Sequence, residues 1–169
     1  MRAGPGAGRF SVAVATCLYL SYIPAKLTAG SGWAERRRWT GAGFLGTLAG
    51  WGSWYALPAD PAAYAAVVAV LIWAACAVCG AAERELGGHD DPRIVLDETV
   101  GFWVAAAFLP AALGWQAASF ALFRLLDAVK LPPYRWLERL PGGYGVVMDD
   151  VGAGLAANLI LQLAAAFLK

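Results

Sequence analysis

Residues 88–98 read GHDDPRIVLDE. The stretch holds the only histidine of the chain, His89, and four carboxylates: Asp90, Asp91, Asp97 and Glu98. Apolar chain flanks it on both sides, AAYAAVVAVLIWAACAVCGAA (62–82) before and TVGFWVAAAFLPAALGW (99–115) after. Carboxylates beside hydrocarbon are costly, so they belong where helices leave the apolar layer. A charged turn between two apolar runs therefore reads as the link between antiparallel helices. Working outward from it gives an all-α chain, an integral membrane bundle with a polar site at one end.

Composition agrees. The chain is 60% apolar and 15% charged, against roughly 45–50% and about 25% for soluble domains. Eight Trp and six Tyr suit a bilayer, where such side chains sit at the water interface. The 169 residues suffice for a single domain, 1–169. A net charge of +1 gives no footprint for nucleic acid. The N-terminal MRAGPGAGRFSVAVATCLYLSYIPA has a short apolar run behind Arg2 and Arg9. No clean cleavage site closes it, so it reads as a retained first helix rather than a signal peptide. Cys76 and Cys79 have redox or zinc spacing, yet no second pair exists. With Cys17 they read as small apolar helix residues.

Six apolar segments follow: 9–25, 41–57, 61–82, 98–113, 115–130 and 148–168. Several fall short of the ~20 residues a span needs. The turns between them include Pro58–Pro61, Leu113-Gly114-Trp115 and the stretch 131–147, which Tyr134 and Trp136 would anchor at headgroup level. Alternating helix direction then sorts the charges. Eleven of the twelve acidic residues fall on one face, all but Asp60, with ten of the thirteen basic ones. The positive-inside rule makes that face cytoplasmic. Both termini then lie outside, provided that 9–25 is a full span.

Two acidic pairs open apolar segments on that face, Asp97-Glu98 and Asp149-Asp150. One carboxylate in a first turn is explained by capping and the helix dipole. Two per helix, with Asp90, Asp91 and Asp127 nearby, would repel each other and raise their own pKa values. A divalent cation removes that cost, and hard oxygen ligands point to Mg²⁺. Gly101 lies four residues after Asp97, and Ala153 and Gly154 lie four after Asp149 and Asp150. Small residues at that spacing let membrane helices approach closely.

FRLLDAVK places Arg124, Asp127 and Lys130 three residues apart on one helix face. It reads either as an ion-pair ladder with snorkelling cations or as a phosphate grip. PGGYG (141–145) reads either as a flexible interfacial loop or as backbone, including Gly143, that receives an anion. His89 is open to three readings: metal ligand, general acid or exposed loop residue.

HDDPRIVLDETVGFW (89–103), FRLLDAVKLPP (123–133) and GGYGVVMDDVGAG (142–154) occur in this order. Together they resemble the three motifs of the phosphatidylglycerophosphatase A family. The resemblance covers residues 80–160. It implies an all-α, Mg²⁺-dependent phosphatase of the bacterial inner membrane that converts phosphatidylglycerophosphate to phosphatidylglycerol. It assigns metal and catalytic roles to Asp97, Glu98, Asp149 and Asp150, and places Arg124, Asp127 and Lys130 on matching positions. The chain departs from the family at 8–40 and in an early Gly/Ser turn, whose best-placed remnant is Gly52-Ser53. It also carries Leu131 between Lys130 and Pro132.

The expected mechanism is metal-assisted attack of water on a phosphomonoester. Arg124, Lys130, Gly143 and Ser53 would bind phosphate; Asp127, Asp91 or His89 would serve as base or acid. No cysteine has the Cys-x5-Arg spacing of a cysteine phosphatase. Two alternatives come from other classes. A non-catalytic membrane protein could bind a cation or organise phospholipid synthesis. A CDP-alcohol phosphotransferase would need an Asp spacing that is absent. A diverged phosphatase for another phosphomonoester is a third reading.

Overall fold

The structure is a computed structural model and describes residues 5–28, 40–88, 91–129, 132 and 134–167. Among these, seven α-helices form and no strand does. In chain order they are α1 (Pro5–Ala15), α2 (Tyr22–Thr28), α3 (Ala42–Trp54), α4 (Pro61–Leu86), α5 (Leu96–Ala105), α6 (Leu113–Val129) and α7 (Gly143–Phe167). A 3₁₀ turn, Tyr134–Arg139, precedes α7. The all-α expectation holds.

The longest helix, α4, has explicit punctuation. The Asp60 side chain accepts from the Ala63 N–H at 2.8 Å, and Pro61 follows in the first turn, where a missing N–H costs nothing. Gly87 ends the helix in the left-handed region (φ 77°). With 26 and 25 residues, α4 and α7 are long and apolar enough to cross a membrane, judged by length and composition. On α7, Leu155, Leu159, Leu163 and Phe167 recur every fourth residue and are all exposed, a stripe facing away from the protein. Val70 and Trp73 of α4 are exposed in the same manner.

The short helix α5 is the centre. Eight of its ten residues are buried, and it packs most extensively against α7 and α3. Close approach to α7 depends on glycine, as expected. A Cβ on Gly154 would stand 2.4 Å from the Gly101 carbonyl oxygen, and one on Gly101 would stand 2.6 Å from the Phe123 ring. On the α3 side, Thr99 donates to the Gly46 carbonyl (2.8 Å) and the Trp103 indole to the Gly50 carbonyl (3.0 Å). The carbonyls left open at the end of α5 also find partners. Asn158 of α7 donates to Ala105 and Ala107, and Gln162 to Ala107.

Several expectations need correction. Segment 9–25 is not one helix: α1 stops at Ala15, and Cys17, Leu18 and Tyr19 take left-handed φ values of 48°, 57° and 65°. The Ala15 carbonyl accepts from the Val95 N–H (2.8 Å) and Gly8 lies against Glu85, so α1 lies at the end of the molecule where α4 finishes and α5 starts. Segment 9–25 is therefore not the full span on which the outside position of both termini depended. Segment 98–113 is also shorter than expected, because α5 ends at Ala105, Phe108 turns left-handed (φ 59°) and Pro110 cannot continue a helix. Leu113-Gly114-Trp115 is accordingly not a turn but the start of α6.

The remaining two corrections concern the chain before the second acidic pair. Helix α7 starts at Gly143, so Asp149 and Asp150 sit in its second turn. Tyr134 is not an interfacial anchor. It is buried, its hydroxyl donates to the Leu126 carbonyl (2.7 Å), and its ring base lies where a Gly152 Cβ would be. Trp136 is exposed.

Candidate active site

At one end of the bundle lie the starts of α3 and α5, the finish of α6 and the second turn of α7. Asp97 and Glu98 enter from the first turn of α5. Asp150 enters from α7. Each of the three offers a carboxylate oxygen, and these oxygens lie within 4.8 Å of one another. Asp97 and Asp150 are buried and Glu98 is half-buried. Capping does not explain Asp150: seven helical residues precede it in α7, so the open N–H groups of the first turn are already behind it.

The electrostatics are unfavourable as the site stands. Burial, then the neighbouring charges of Glu98 and Asp150, push the Asp97 carboxyl well above the usual range. Burial pushes Glu98 up to about 7, against the opposing pull of Arg124. Asp97 Oδ1 and Glu98 Oε2 are buried with no hydrogen-bond donor. Buried carboxylate oxygens normally have partners, and leaving them without costs free energy. Three converging carboxylates, two of them with a buried oxygen that has no donor, fit a hard divalent cation better than they fit one another.

Arg124, from the last turns of α6, borders the trio. Its Nη1 lies 2.8 Å from Asp127 Oδ2 and 3.8 Å from Glu98 Oε1. Asp127 thus holds Arg124 in place. Beside Arg124 runs α3, where a Cβ on Gly43 would stand 2.1 Å from Glu98 Oε1 and one on Gly46 3.2 Å from Glu98 Oε2. A buried carboxylate trio beside a tethered guanidinium is suited to gripping a phosphoryl group through a cation on one side and Arg on the other.

A profile of the phosphatidylglycerophosphatase A family matches residues 13–165. The chain belongs to the phosphatidylglycerophosphatase A family. It is 37% identical over 122 residues to phosphatidylglycerophosphatase A of Escherichia coli, covering 70% of this chain and 71% of that one. Against the Haemophilus influenzae protein of the same name the identity is 39% over 89 residues, 51% of this chain and 54% of that one. A protein of Bacteroides thetaiotaomicron named putative phosphatidylinositol-3-phosphatase is 30% identical over 150 residues, 85% of this chain and 94% of that one. No solved structure matches. Membership makes the chain an enzyme, a phosphatase.

Within the family frame, the residues expected from sequence divide. Asp97, Glu98, Asp150, Arg124 and Asp127 come together. Asp149 is buried in the same turn of α7 but is not one of the three whose oxygens meet. Asp91 has a different task from the expected base. Both its oxygens engage Arg93, from Nε at 2.8 Å and Nη2 at 2.5 Å, and the Arg93 N–H donates to it at 3.0 Å. Arg93 in turn lies over the Tyr22 ring, and its carbonyl accepts from Ser21, so Asp91 fixes the 91–95 turn to the N-terminal segment.

Gly143 and Ser53 are not where a phosphate ligand is needed. A Cβ on Gly143 would stand 2.0 Å from the Cys76 carbonyl oxygen, so this glycine serves the α4–α7 crossing. The Ser53 hydroxyl donates within α3 to Ala49 and accepts from Trp103. It lies ten residues, about 15 Å at 1.5 Å per residue, beyond the glycine that touches Glu98. His89, Asp90 and Lys130 lie outside the described residues. Gly43 and Gly46 were missed. The signal was available in GAGFLGT (41–47), where two glycines three residues apart share a helix face.

Proposed function

We propose that the protein is a Mg²⁺-dependent phosphatase that removes the terminal phosphate of phosphatidylglycerophosphate at the bacterial inner membrane, with its site facing the cytoplasm. The observation that carries this reading is the buried trio of Asp97, Glu98 and Asp150 beside Arg124. The two relatives named phosphatidylglycerophosphatase A supply the substrate. The exposed leucine stripe of α7 supports a membrane location, since such a stripe needs an apolar cover.

Asp97, Glu98 and Asp150 would hold the cation, which when bound supplies positive charge to the phosphoryl oxygens and a more acidic water. Arg124, oriented by Asp127, binds phosphoryl oxygens through its remaining N–H groups and offsets the charge that develops on them. Asp149, next to the trio, accepts the proton of the attacking water. The P–O bond to glycerol breaks, phosphate leaves, and the glycerol oxygen takes up a proton to give the lipid alcohol.

A second reading keeps the chemistry and changes the lipid. The relative named putative phosphatidylinositol-3-phosphatase spans more of this chain than either of the others. One comparison separates the two: phosphate release by purified protein from phosphatidylglycerophosphate, phosphatidylinositol 3-phosphate and glycerol 3-phosphate, with and without Mg²⁺. The first reading expects phosphatidylglycerophosphate to give the highest kcat/KM. Preference for the inositol lipid would replace it with the second, and preference for glycerol 3-phosphate would remove the lipid from both.

A further inference from the structure

We propose that Gly43 is a positioning residue that seats Glu98 for cation binding, an inference that rests on the metal reading above. Six glycines of this bundle, Gly46, Gly50, Gly80, Gly143, Gly145 and Gly154, meet backbone first. A Cβ on Gly154 meets the Gly101 carbonyl, one on Gly143 meets Cys76, and one on Gly50 meets the Thr99 carbonyl at 2.8 Å. Those glycines are explained by helix packing alone. Gly43 differs. The three nearest atoms to its Cβ position are Glu98 Oε1 at 2.1 Å, Arg124 Nη2 at 3.0 Å and Glu98 Cδ at 3.0 Å, all side-chain atoms of the site.

Removing the Cβ at 43 therefore makes room for a carboxylate, not for a helix. The Glu98 carboxylate lies in a notch on the first turns of α3, one oxygen at Gly43 and the other towards Gly46. The same notch brings Oε1 to 3.8 Å from Arg124 Nη1. Oε2 is buried and has no hydrogen-bond donor. An alanine at 43 cannot share this space with the carboxylate. The flexible Glu98 side chain has to leave the notch, while the α3 and α5 backbones need not move. Alanine also suits a helix better than glycine. The substitution is thus expected to weaken the site without weakening the fold, which a packing glycine would not do.

The experiment measures melting temperature of the purified protein in detergent, with EDTA and across a Mg²⁺ titration, alongside Mg²⁺-dependent phosphate release. Gly43→Ala is expected to melt no lower than wild type in EDTA. It is expected to need at least tenfold more Mg²⁺ for half of the thermal shift and half of the activity. Adding Glu98→Asp to Gly43→Ala shortens the displaced side chain and is expected to recover part of the Mg²⁺ affinity. Gly50→Ala, which meets the Thr99 backbone and Phe102 and no residue of the trio, is the contrasting variant and is expected to melt lower in EDTA. An unchanged Mg²⁺ midpoint in Gly43→Ala would overturn the role of Gly43, as would a lower melting temperature in EDTA with an unchanged Mg²⁺ midpoint. A wild-type protein with no Mg²⁺ shift at all would instead overturn the metal reading on which the inference stands.

Discussion

Gly154 of α7 and Gly101 of α5 touch so closely that a Cβ on the first would stand 2.4 Å from the carbonyl oxygen of the second. The contact lies one turn beyond Asp150 and one turn beyond Asp97, and it sets the separation of the two helices that carry them. A larger residue at 154 should therefore damage the fold and the site together. Gly154→Val is expected to destabilise the protein by roughly 1–3 kcal/mol, the usual cost of overpacking, and to remove Mg²⁺-dependent activity. Thermal unfolding in detergent and a phosphate-release assay check both halves.

Asp97→Asn separates folding from function in the opposite direction. It removes one of three like charges that burial and mutual repulsion make costly. The cation-free variant is expected to be at least as stable as wild type, and inactive. Lower stability in EDTA together with retained activity would mean that Asp97 serves the fold and not the reaction.

Arg124 is ion-paired with Asp127, Nη1 to Oδ2 at 2.8 Å. A lysine there keeps the charge but loses the planar fork. Arg124→Lys is expected to lower kcat/KM by at least about tenfold, in line with the loss of a charge-assisted hydrogen bond of roughly 1.5–3 kcal/mol. Asp127→Asn is expected to act in the same direction through Arg124. Wild-type kinetics in both would remove the guanidinium from the phosphate site.

Stability should depend on pH in a direction set by Glu98. Its carboxyl titrates near 7 in the folded protein, raised chiefly by burial from an ordinary 4.5. The folded state therefore binds the proton more tightly than the unfolded state, and the linked stability is present below about 4.5 and lost as pH rises through 7. Buried Asp97, also raised, acts in the same sense. Melting temperature in EDTA is expected to fall across this window, and Mg²⁺ is expected to restore more of it at pH 8 than at pH 5. A melting temperature in EDTA that rises from pH 5 to 8 would contradict this account of the trio.

The sequence made the polar end of the bundle legible because its signals are local. Paired carboxylates at 97–98 and 149–150, with small residues four positions on, announced a close helix pair carrying charge. What it hid depends on where helices stop. The three left-handed residues Cys17 to Tyr19 are not glycines, so nothing in their identity marks the break in 9–25. PGGYG looked like a loop because three of its residues are glycines. In the structure two of them are helical, and one lets α7 cross α4 at Cys76. Tyr134 looked interfacial because aromatic residues beside Pro and Arg often are, whereas a tertiary contact with Gly152 buries it. Ser53 stood out as the remnant of the family's early Gly/Ser turn, whereas it is Gly43 and Gly46 that lie against Glu98.

The most direct measurement is phosphate release from phosphatidylglycerophosphate by the purified protein, in EDTA and in rising Mg²⁺, for wild type and Asp150→Asn. The account predicts no release in EDTA, saturable activation of wild type by Mg²⁺, and no activation of the folded variant. Equal release in EDTA and Mg²⁺, or full activation of Asp150→Asn, would contradict the claim that the buried trio holds the cation on which this phosphatase depends.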